Sequence, residues 1–256
     1  VISVRISDNL VKIELEQKGY SILKGFASAE IVNQLLTFYY DTVGQSEVRE
    51  GFFTTHWSSK YDYRIKVNRF VQKILLPELA RGFSSFKCLL GYFLFKAPSS
   101  NNSVYMHQDW TLIDETRYTG YILWIPLIDT NIQNGCFHLV PGSHKVFTHP
   151  RGSNMPQKHH GISDKDFLPI PANAGDAIIF DQRLLHASPP NFSDKDRVAA
   201  GLIIVPSEAD VIHYFYDEET GLTSMNTVND SFLTDYFYDY EKKTSSRNIK
   251  DLFHTT

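Results

Sequence analysis

The sequence predicts a mainly β protein, a barrel with flanking helices, and two observations predict it. From Phe86 onward, short β-branched and aromatic runs alternate with Gly, Pro, Asn and Asp at the spacing of a sandwich or barrel. Before that point, capping residues and apolar stripes of helical period dominate. With 256 residues the chain can bury a substantial core, and barrels of this size routinely form one domain, so a single domain is expected over 1–256.

Asp8 is placed to cap a helix that runs to Lys18 and ends at Gly19, after which Tyr20–Leu23 reads as a short strand. Ser28 caps a second helix, in which Ile31, Leu35 and Tyr39 recur at four-residue spacing. Val67, Phe70, Val71, Ile74 and Leu75 form a third apolar stripe of helical period. These fill a helical part over about 1–85 and need a surface to pack on. Strands are expected near 86–95, 104–109, 121–127, 136–140, 168–171, 177–180 and 199–205, giving a barrel core over about 86–206. The segment 144–167, with its prolines, glycines and His159-His160, has no period and reads as a long loop near the barrel mouth, where such loops act as lids. The extension over about 207–256 is rich in aromatics and acids, as in Tyr214–Glu219 and Asp235–Tyr240, and reads either as a helical extension on the barrel or as an oligomer contact. The oligomeric state itself is not readable.

A formal net charge of −4 without any long basic run argues against nucleic acid as a partner. Apolar runs such as Ile178–Phe180 and Tyr121–Leu127 are far too short to span a bilayer and no signal-peptide core is visible, so neither a membrane partner nor an export route is expected, and a cytoplasmic location is. Cys88 and Cys136, the two cysteines, make neither a disulfide framework nor a C-x-x-C site and are expected to be reduced.

His107-Gln108-Asp109 carries the first chemical signal. In a strand, positions two apart share a face, so an imidazole and a carboxylate converge on one side. Alone the pattern is weak: roughly one H-x-[DE] is expected by chance in a chain of this composition, and a surface histidine beside a turn aspartate reads the same way. Context strengthens it. Gly175-Asp176 reads as a tight turn into the buried strand Ala177–Phe180, followed by Leu184-Leu185-His186. His186 is then the candidate third ligand. Two histidines and one carboxylate on a β-scaffold form the facial set that leaves open positions on Fe(II) for a bidentate co-substrate and O2. Arg197, eleven residues beyond His186, opens another predicted strand, and a guanidinium there is suited to grip a carboxylate through two parallel hydrogen bonds. Trp124 reads equally as barrel core or as pocket wall. Gln108, Trp110 and Tyr105, near the candidate ligands, are candidate substrate contacts, although alternating aromatics such as Tyr92, Phe93 and Phe95 also suit a barrel core. His138, His144, His159 and His160 are read as non-ligands.

The chain resembles the phytanoyl-CoA dioxygenase family, because several motifs occur in that family's order. They are Gly19-Tyr20-Ser21-Ile22-Leu23-Lys24-Gly25-Phe26, His107-Gln108-Asp109, Trp124, Asn134-Gly135-Cys136 leading to Val140-Pro141-Gly142-Ser143-His144-Lys145, and His186-Ala187-Ser188 through Asn191 to Arg197. The resemblance covers about residues 10–205 and implies a double-stranded β-helix, the jelly-roll, cupin-like barrel. It further implies that His107, Asp109 and His186 bind Fe(II), that Arg197 and Ser188 hold the far carboxylate of the co-substrate 2-oxoglutarate, and that Trp124 lines that pocket. The activity implied is dioxygenation with release of succinate and CO2. Related halogenases replace the ligating carboxylate with a small residue, so Asp109 points to hydroxylation of an unactivated carbon; desaturation, epimerisation and cyclisation stay open. A small-molecule substrate is expected, with no basic cluster marking a nucleotide-phosphate site. The competing readings are a catalytically silent barrel that binds a small molecule and a zinc-binding barrel indifferent to 2-oxoglutarate and O2.

Overall fold

Helix α1 (Asn9–Lys18) starts where the Asp8 carboxylate accepts the backbone N–H groups of Leu10 and Val11 at 2.8 and 3.3 Å, and it stops at Gly19. The chain turns directly into β1 (Tyr20–Leu23), and Ser28 then caps α2 (Ala29–Phe38) by accepting from the N–H of Ile31. This computed structural model describes residues 2–43, 51–99, 101–155 and 161–235. After the edge strand β2 (Phe52–Thr54) comes α3 (Tyr61–Leu79), whose stripe Val67, Val71 and Leu75 is fully buried.

The other strands of the two main sheets are β3 (Phe86–Lys96), β4 (Val104–His107), β5 (Tyr121–Pro126), β6 (Phe137–Leu139), β7 (Leu168–Ile170), β8 (Ala177–Asp181), β9 (His186–Ser188) and β10 (Arg197–Pro206). They form two antiparallel sheets, one in the order β1-β8-β5-β10-β3-β2 and a smaller one in the order β7-β6-β9-β4. Central strand β10 is buried at every residue, because both of its faces are covered. On the outer face Phe93, Phe95, Leu123, Val198 and Leu202 pack with Leu15, Leu35, Val71 and Leu75 of the helices. On the inner face Ile122, Trp124, Ile178, Phe180 and Ala199 close on Phe137, Leu139 and Ile170 of the small sheet. The two facing sheets are the double-stranded β-helix, and the space between them is where a site can sit.

Two expectations need correction. The ladder of β4 ends at His107, so Asp109 lies just past the strand rather than within it. The extension after Pro206 is not helical at Tyr214–Asp217: β11 (Ile212–Asp217) pairs with β12 (Leu222–Thr227) in an antiparallel hairpin. The acidic side chain that reads as helical surface makes the turn instead, since Asp217 Oδ1 accepts from the N–H groups of Glu219 and Thr220. Helix returns only at α4 (Phe232–Asp235), which docks on α3 through the buried Arg64; its Nε donates to Thr234 O at 2.8 Å. Residues 236–240 of the second aromatic run lie outside the described residues. Among the described residues no helix is long and apolar enough to cross a membrane.

Candidate metal centre

The centre is built by one strand pairing. Strands β4 and β9 run antiparallel with His107 directly opposite His186, which brings their ring centroids to 4.2 Å. The imidazole Nδ1 of His107 lies 2.8 Å from Tyr105 O, and that of His186 lies 2.9 Å from Leu184 O. A carbonyl only accepts, so each Nδ1 carries the proton and each Nε2 presents a lone pair. This is how a backbone carbonyl fixes the tautomer of a metal-binding histidine.

Asp109 completes the group. Its Oδ2 is 3.7 Å from His186 Nε2, is closed off from solvent and has no hydrogen-bond partner. Ligand atoms of His107, Asp109 and His186 all lie within 4.8 Å of one another, and among the described residues this is the one group of three such side chains able to hold a metal ion. Burial, with the neighbouring His107 adding to it, pushes the pKa of His186 well below the usual imidazole range, so this ring is neutral and ready to ligate. Burial also raises the pKa of Asp109, an effect opposed by the nearby His107 and Arg151. The 3.7 Å contact is therefore not an ion pair; two ligand atoms face one point. A buried carboxylate oxygen without a donor is costly, and a cation between these atoms removes that cost. The residues fit a divalent metal. Phe137, stacked on His186 at 5.1 Å, and Phe180 at 4.9 Å wall the group with apolar surface.

Beside it lies a second polar cluster, joined to the first through β9. Arg197 Nη1 donates to Ser188 Oγ at 2.8 Å and to Gly135 O at 2.6 Å, while its Nε, also buried, has no partner. The guanidinium lies over the Trp124 ring, 5.5 Å from its centroid, and Trp124 in turn packs on Phe137 at 5.7 Å. Arg197, Ser188 and Trp124 thus come together, as expected from the sequence. Gly135 makes the approach possible: its φ is 72°, and a Cβ there would stand 2.3 Å from Pro189 O.

Lys96 is the residue that the sequence reading missed. It is 0% exposed, stands opposite Arg197 in the β3–β10 ladder, and donates to Ser188 Oγ, Ser188 O and Pro189 O at 2.7, 2.9 and 2.6 Å. Three oxygens match the three donors of an ammonium. That arrangement works against burial, which, with Arg197 close by, pushes the pKa of Lys96 down to about 6. Burial likewise lowers Arg197 to about 10. Among the described residues neither cation has an acidic partner. A signal existed in the sequence: Lys96 continues the inward alternation of Tyr92 and Leu94, where a lysine has no reason to be unless something inside needs it.

The candidate substrate contacts separate. Gln108 is turned into the fold, its amide donating to Phe147 O at 2.8 Å and to Arg183 O. Trp110 packs 4.9 Å from the His213 ring. Tyr105 shares the His107 face of β4 but is 84% exposed, at the rim. His144 lies by Glu16 O and His138 on β6, both apart from the three-ligand group, while His159-His160 fall outside the described residues. Of the expected lid over 144–167, the stretch 147–155 packs onto the segment after β4 and onto β11, for example through Thr111 N to Arg151 O and Ser153 N to Tyr214 O, while residues 156–160 lie outside the described residues.

Comparison with known proteins gives the same picture. The sequence profile described as phytanoyl-CoA dioxygenase (PhyH) matches residues 15–199. A phytanoyl-CoA dioxygenase of Arabidopsis thaliana is 36% identical over 143 residues, which is 49% of this chain and 50% of that protein. A phytanoyl-CoA dioxygenase domain-containing protein 1 homolog of Dictyostelium discoideum is 31% identical over 132 residues, 47% of each chain. The chain thus matches about half the length of these curated relatives. Among solved structures, the epimerase SnoN in complex with Fe3+, alpha ketoglutarate and nogalamycin RO superposes with a TM-score of 0.58 at 19% identity, over 79% of this chain and 84% of that one. HygX from Streptomyces hygroscopicus with nickel, 2-oxoglutarate and hygromycin B bound gives 0.54 at 15% identity, over 78% and 88%. At these identities the likeness establishes the shared fold.

Proposed function

We propose, since this chain belongs to the phytanoyl-CoA dioxygenase family, that it is an Fe(II)- and 2-oxoglutarate-dependent dioxygenase that hydroxylates an unactivated carbon of a small molecule. One observation carries the reading: the ligand atoms of two imidazoles and a carboxylate, one oxygen of which is buried without a hydrogen-bond partner, gather within 4.8 Å next to two buried basic side chains that lack an acidic partner among the described residues. The first cluster asks for a cation and the second for an anion.

In this reading His107, Asp109 and His186 hold Fe(II), and Arg197 with Lys96 holds the distal carboxylate of 2-oxoglutarate. Iron and co-substrate together supply, when bound, the oxidising power that no side chain has. The chain's own residues orient and protect. Tyr105 O and Leu184 O fix the two imidazole tautomers, Ser188 sets the two cations, and Trp124 supports the guanidinium. Phe137 and Phe180 keep the centre apolar, which limits water and strengthens every charge interaction within it. Three protein ligands leave positions for a bidentate co-substrate and O2. Asp109 fills the place that a halide would need, which favours hydroxylation over halogenation. That SnoN is solved with nogalamycin RO and HygX with hygromycin B supports a small-molecule substrate on this fold.

Anaerobic titration of the metal-stripped protein with Fe(II) and 2-oxoglutarate tests the reading. A weak visible charge-transfer band is expected in the parent, absent in His186→Ala and weakened in Arg197→Ala. A parent that shows no band and binds zinc without any effect of 2-oxoglutarate overturns it in favour of a zinc-binding or silent barrel.

A further inference from the structure

Asp109 follows the last ladder residue of β4, so no strand pairing holds its backbone. What holds it comes from 42 residues away. Arg151, 1% exposed, donates from Nε to the carbonyl oxygen of Asp109 at 2.8 Å. Its other edge forms a two-bond fork with Glu115, Nη1 to Oε2 at 2.9 Å and Nη2 to Oε1 at 2.6 Å, and Nη1 also reaches His149 O at 2.9 Å. The main chain is tied at the same place, with Thr111 N to Arg151 O at 3.0 Å and Arg151 N to Thr111 Oγ1 at 3.1 Å. On the other side of Asp109, Gln108 anchors to Phe147 O of the same loop.

We infer that Arg151 is a positioning residue for Asp109, with Glu115 as the counter-charge that fixes its plane. The inference rests on the iron-centre reading given above. The physical argument is geometric. A fork paired at both nitrogens has one plane, and within that plane only Nε is left to point at the Asp109 carbonyl. Fixing that carbonyl fixes the Cα–Cβ direction of Asp109, and with it the place of the ligating oxygen relative to His107 and His186. Burial makes Glu115 necessary, because a guanidinium enclosed to this degree needs an ionic partner. The loop 147–155 is thereby a brace for the carboxylate ligand.

The test uses Co(II), which binds such sites without redox chemistry and whose visible bands report ligand geometry, on the chain in five forms: parent, Arg151→Met, Arg151→Lys, Glu115→Gln and His186→Ala. Arg151→Met is expected to bind Co(II) about 10- to 100-fold more weakly, the usual range for loss of a partner behind a metal ligand, with shifted bands. Arg151→Lys is expected to recover only part of the loss, since an ammonium cannot reach Asp109 O and grip both Glu115 oxygens. Thermal midpoints of the metal-free forms are measured alongside. Lower midpoints with parent-like Co(II) affinity and bands overturn the inference, since that is the signature of a merely structural role. Should Arg151→Met fail to fold, Arg151→Lys and Glu115→Gln decide by the same criterion. If the parent binds no Co(II), or His186→Ala binds it equally well, the iron-centre reading falls and this inference with it. Binding that is lost in His186→Ala but unchanged in the Arg151 variants overturns this inference alone.

Discussion

Lys96 and Arg197 face each other across the β3–β10 ladder and donate to the same oxygen, Ser188 Oγ, at 2.7 and 2.8 Å. That hydroxyl gives its one proton to Gly135 O at 2.8 Å, so all its hydrogen-bonding capacity is used in holding two buried cations apart and in place. Two basic groups share one enclosed space, and burial beside Arg197 works against the charge on Lys96. Both are charged together most favourably with a compensating anion between them, which makes this pair a specific statement about ligand charge.

A pH dependence follows. In the absence of an anion, burial and then Arg197 hold the pKa of Lys96 down to about 6. A bound carboxylate favours the charged amine and raises that pKa. Between the two values the ligand-bound protein carries a proton that the ligand-free protein lacks, so binding of 2-oxoglutarate takes up a proton there and its affinity falls as pH rises, by at most about tenfold per pH unit. Calorimetry at about pH 7.5 in buffers of different ionisation enthalpy measures the uptake. Parent protein is expected to show up to one proton, and Lys96→Met none. Heats independent of buffer in the parent would mean that the three oxygens around Nζ already keep Lys96 charged.

Ser188→Ala leaves the same two cations but removes the acceptor they share. Each loses a charge-assisted hydrogen bond in a place closed to water, so a stability loss of about 1–3 kcal/mol is expected, together with weaker 2-oxoglutarate binding. Ser188→Thr keeps the hydroxyl and should retain most of both. Equal losses in the alanine and threonine variants, by denaturant melts and ligand titration, would point to packing around β9 rather than the hydroxyl.

The three-ligand group of His107, Asp109 and His186 was legible from sequence because its clues are local. His107 and Asp109 are two residues apart, and His186 follows a glycine-aspartate turn and a β-branched run. Arg151 was not legible for the opposite reason, and the signal for Lys96, its place in the alternation of Tyr92 and Leu94, was weak. Lys96 sits at the end of a strand, where a lysine also reads as surface; the register that sets it against Arg197 decides that it is enclosed. Arg151 and Glu115 meet because the loop 147–155 folds back on the segment after β4, a contact with no sequence period. The β11–β12 hairpin was missed because Asp217 and Glu218 resemble helix surface until the turn is formed. Strand β9 was also missed, being three residues long and defined by its neighbours β6 and β4 rather than by its own composition.

Gly135→Ala is expected to damage the co-substrate site from a distance. Gly135 has a φ of 72°, which an alanine adopts at a cost of about 1–2 kcal/mol. Its new Cβ would also stand 2.3 Å from Pro189 O and 2.9 Å from Pro190 O, both backbone atoms that cannot swing aside as a side chain can. The backbone at Gly135 or at Pro189–Pro190 must therefore shift, and what shifts is the carbonyl that accepts from Arg197 and Ser188 together with the Pro189 carbonyl that accepts from Lys96. Loss of 2-oxoglutarate affinity should exceed loss of metal affinity, because His107, Asp109 and His186 lean on Tyr105, Arg151 and Leu184 instead. Parallel titrations with Co(II) alone and with 2-oxoglutarate on the Co(II)-loaded protein separate the two.

Gly201→Ala probes the space that the Tyr92 ring occupies near Asp109. A Cβ at Gly201 would lie 2.5 to 2.9 Å from the ring and hydroxyl of Tyr92, the cross-strand partner of Gly201 on β3, whose phenol lies close enough for the Asp109 carboxylate to raise its pKa further after burial has done so. Those atoms are the far end of a side chain, so the ring can turn away while β10 stays in place. The expected result is an unchanged charge-transfer band with Fe(II) and 2-oxoglutarate, accompanied by an altered KM for the substrate or by succinate production uncoupled from its hydroxylation. If band and turnover both match the parent, the Tyr92 ring does not border the substrate; if the band itself is lost, the shift has reached Arg197 or His186 through the sheet, and Gly201 belongs to the framework that holds the co-substrate.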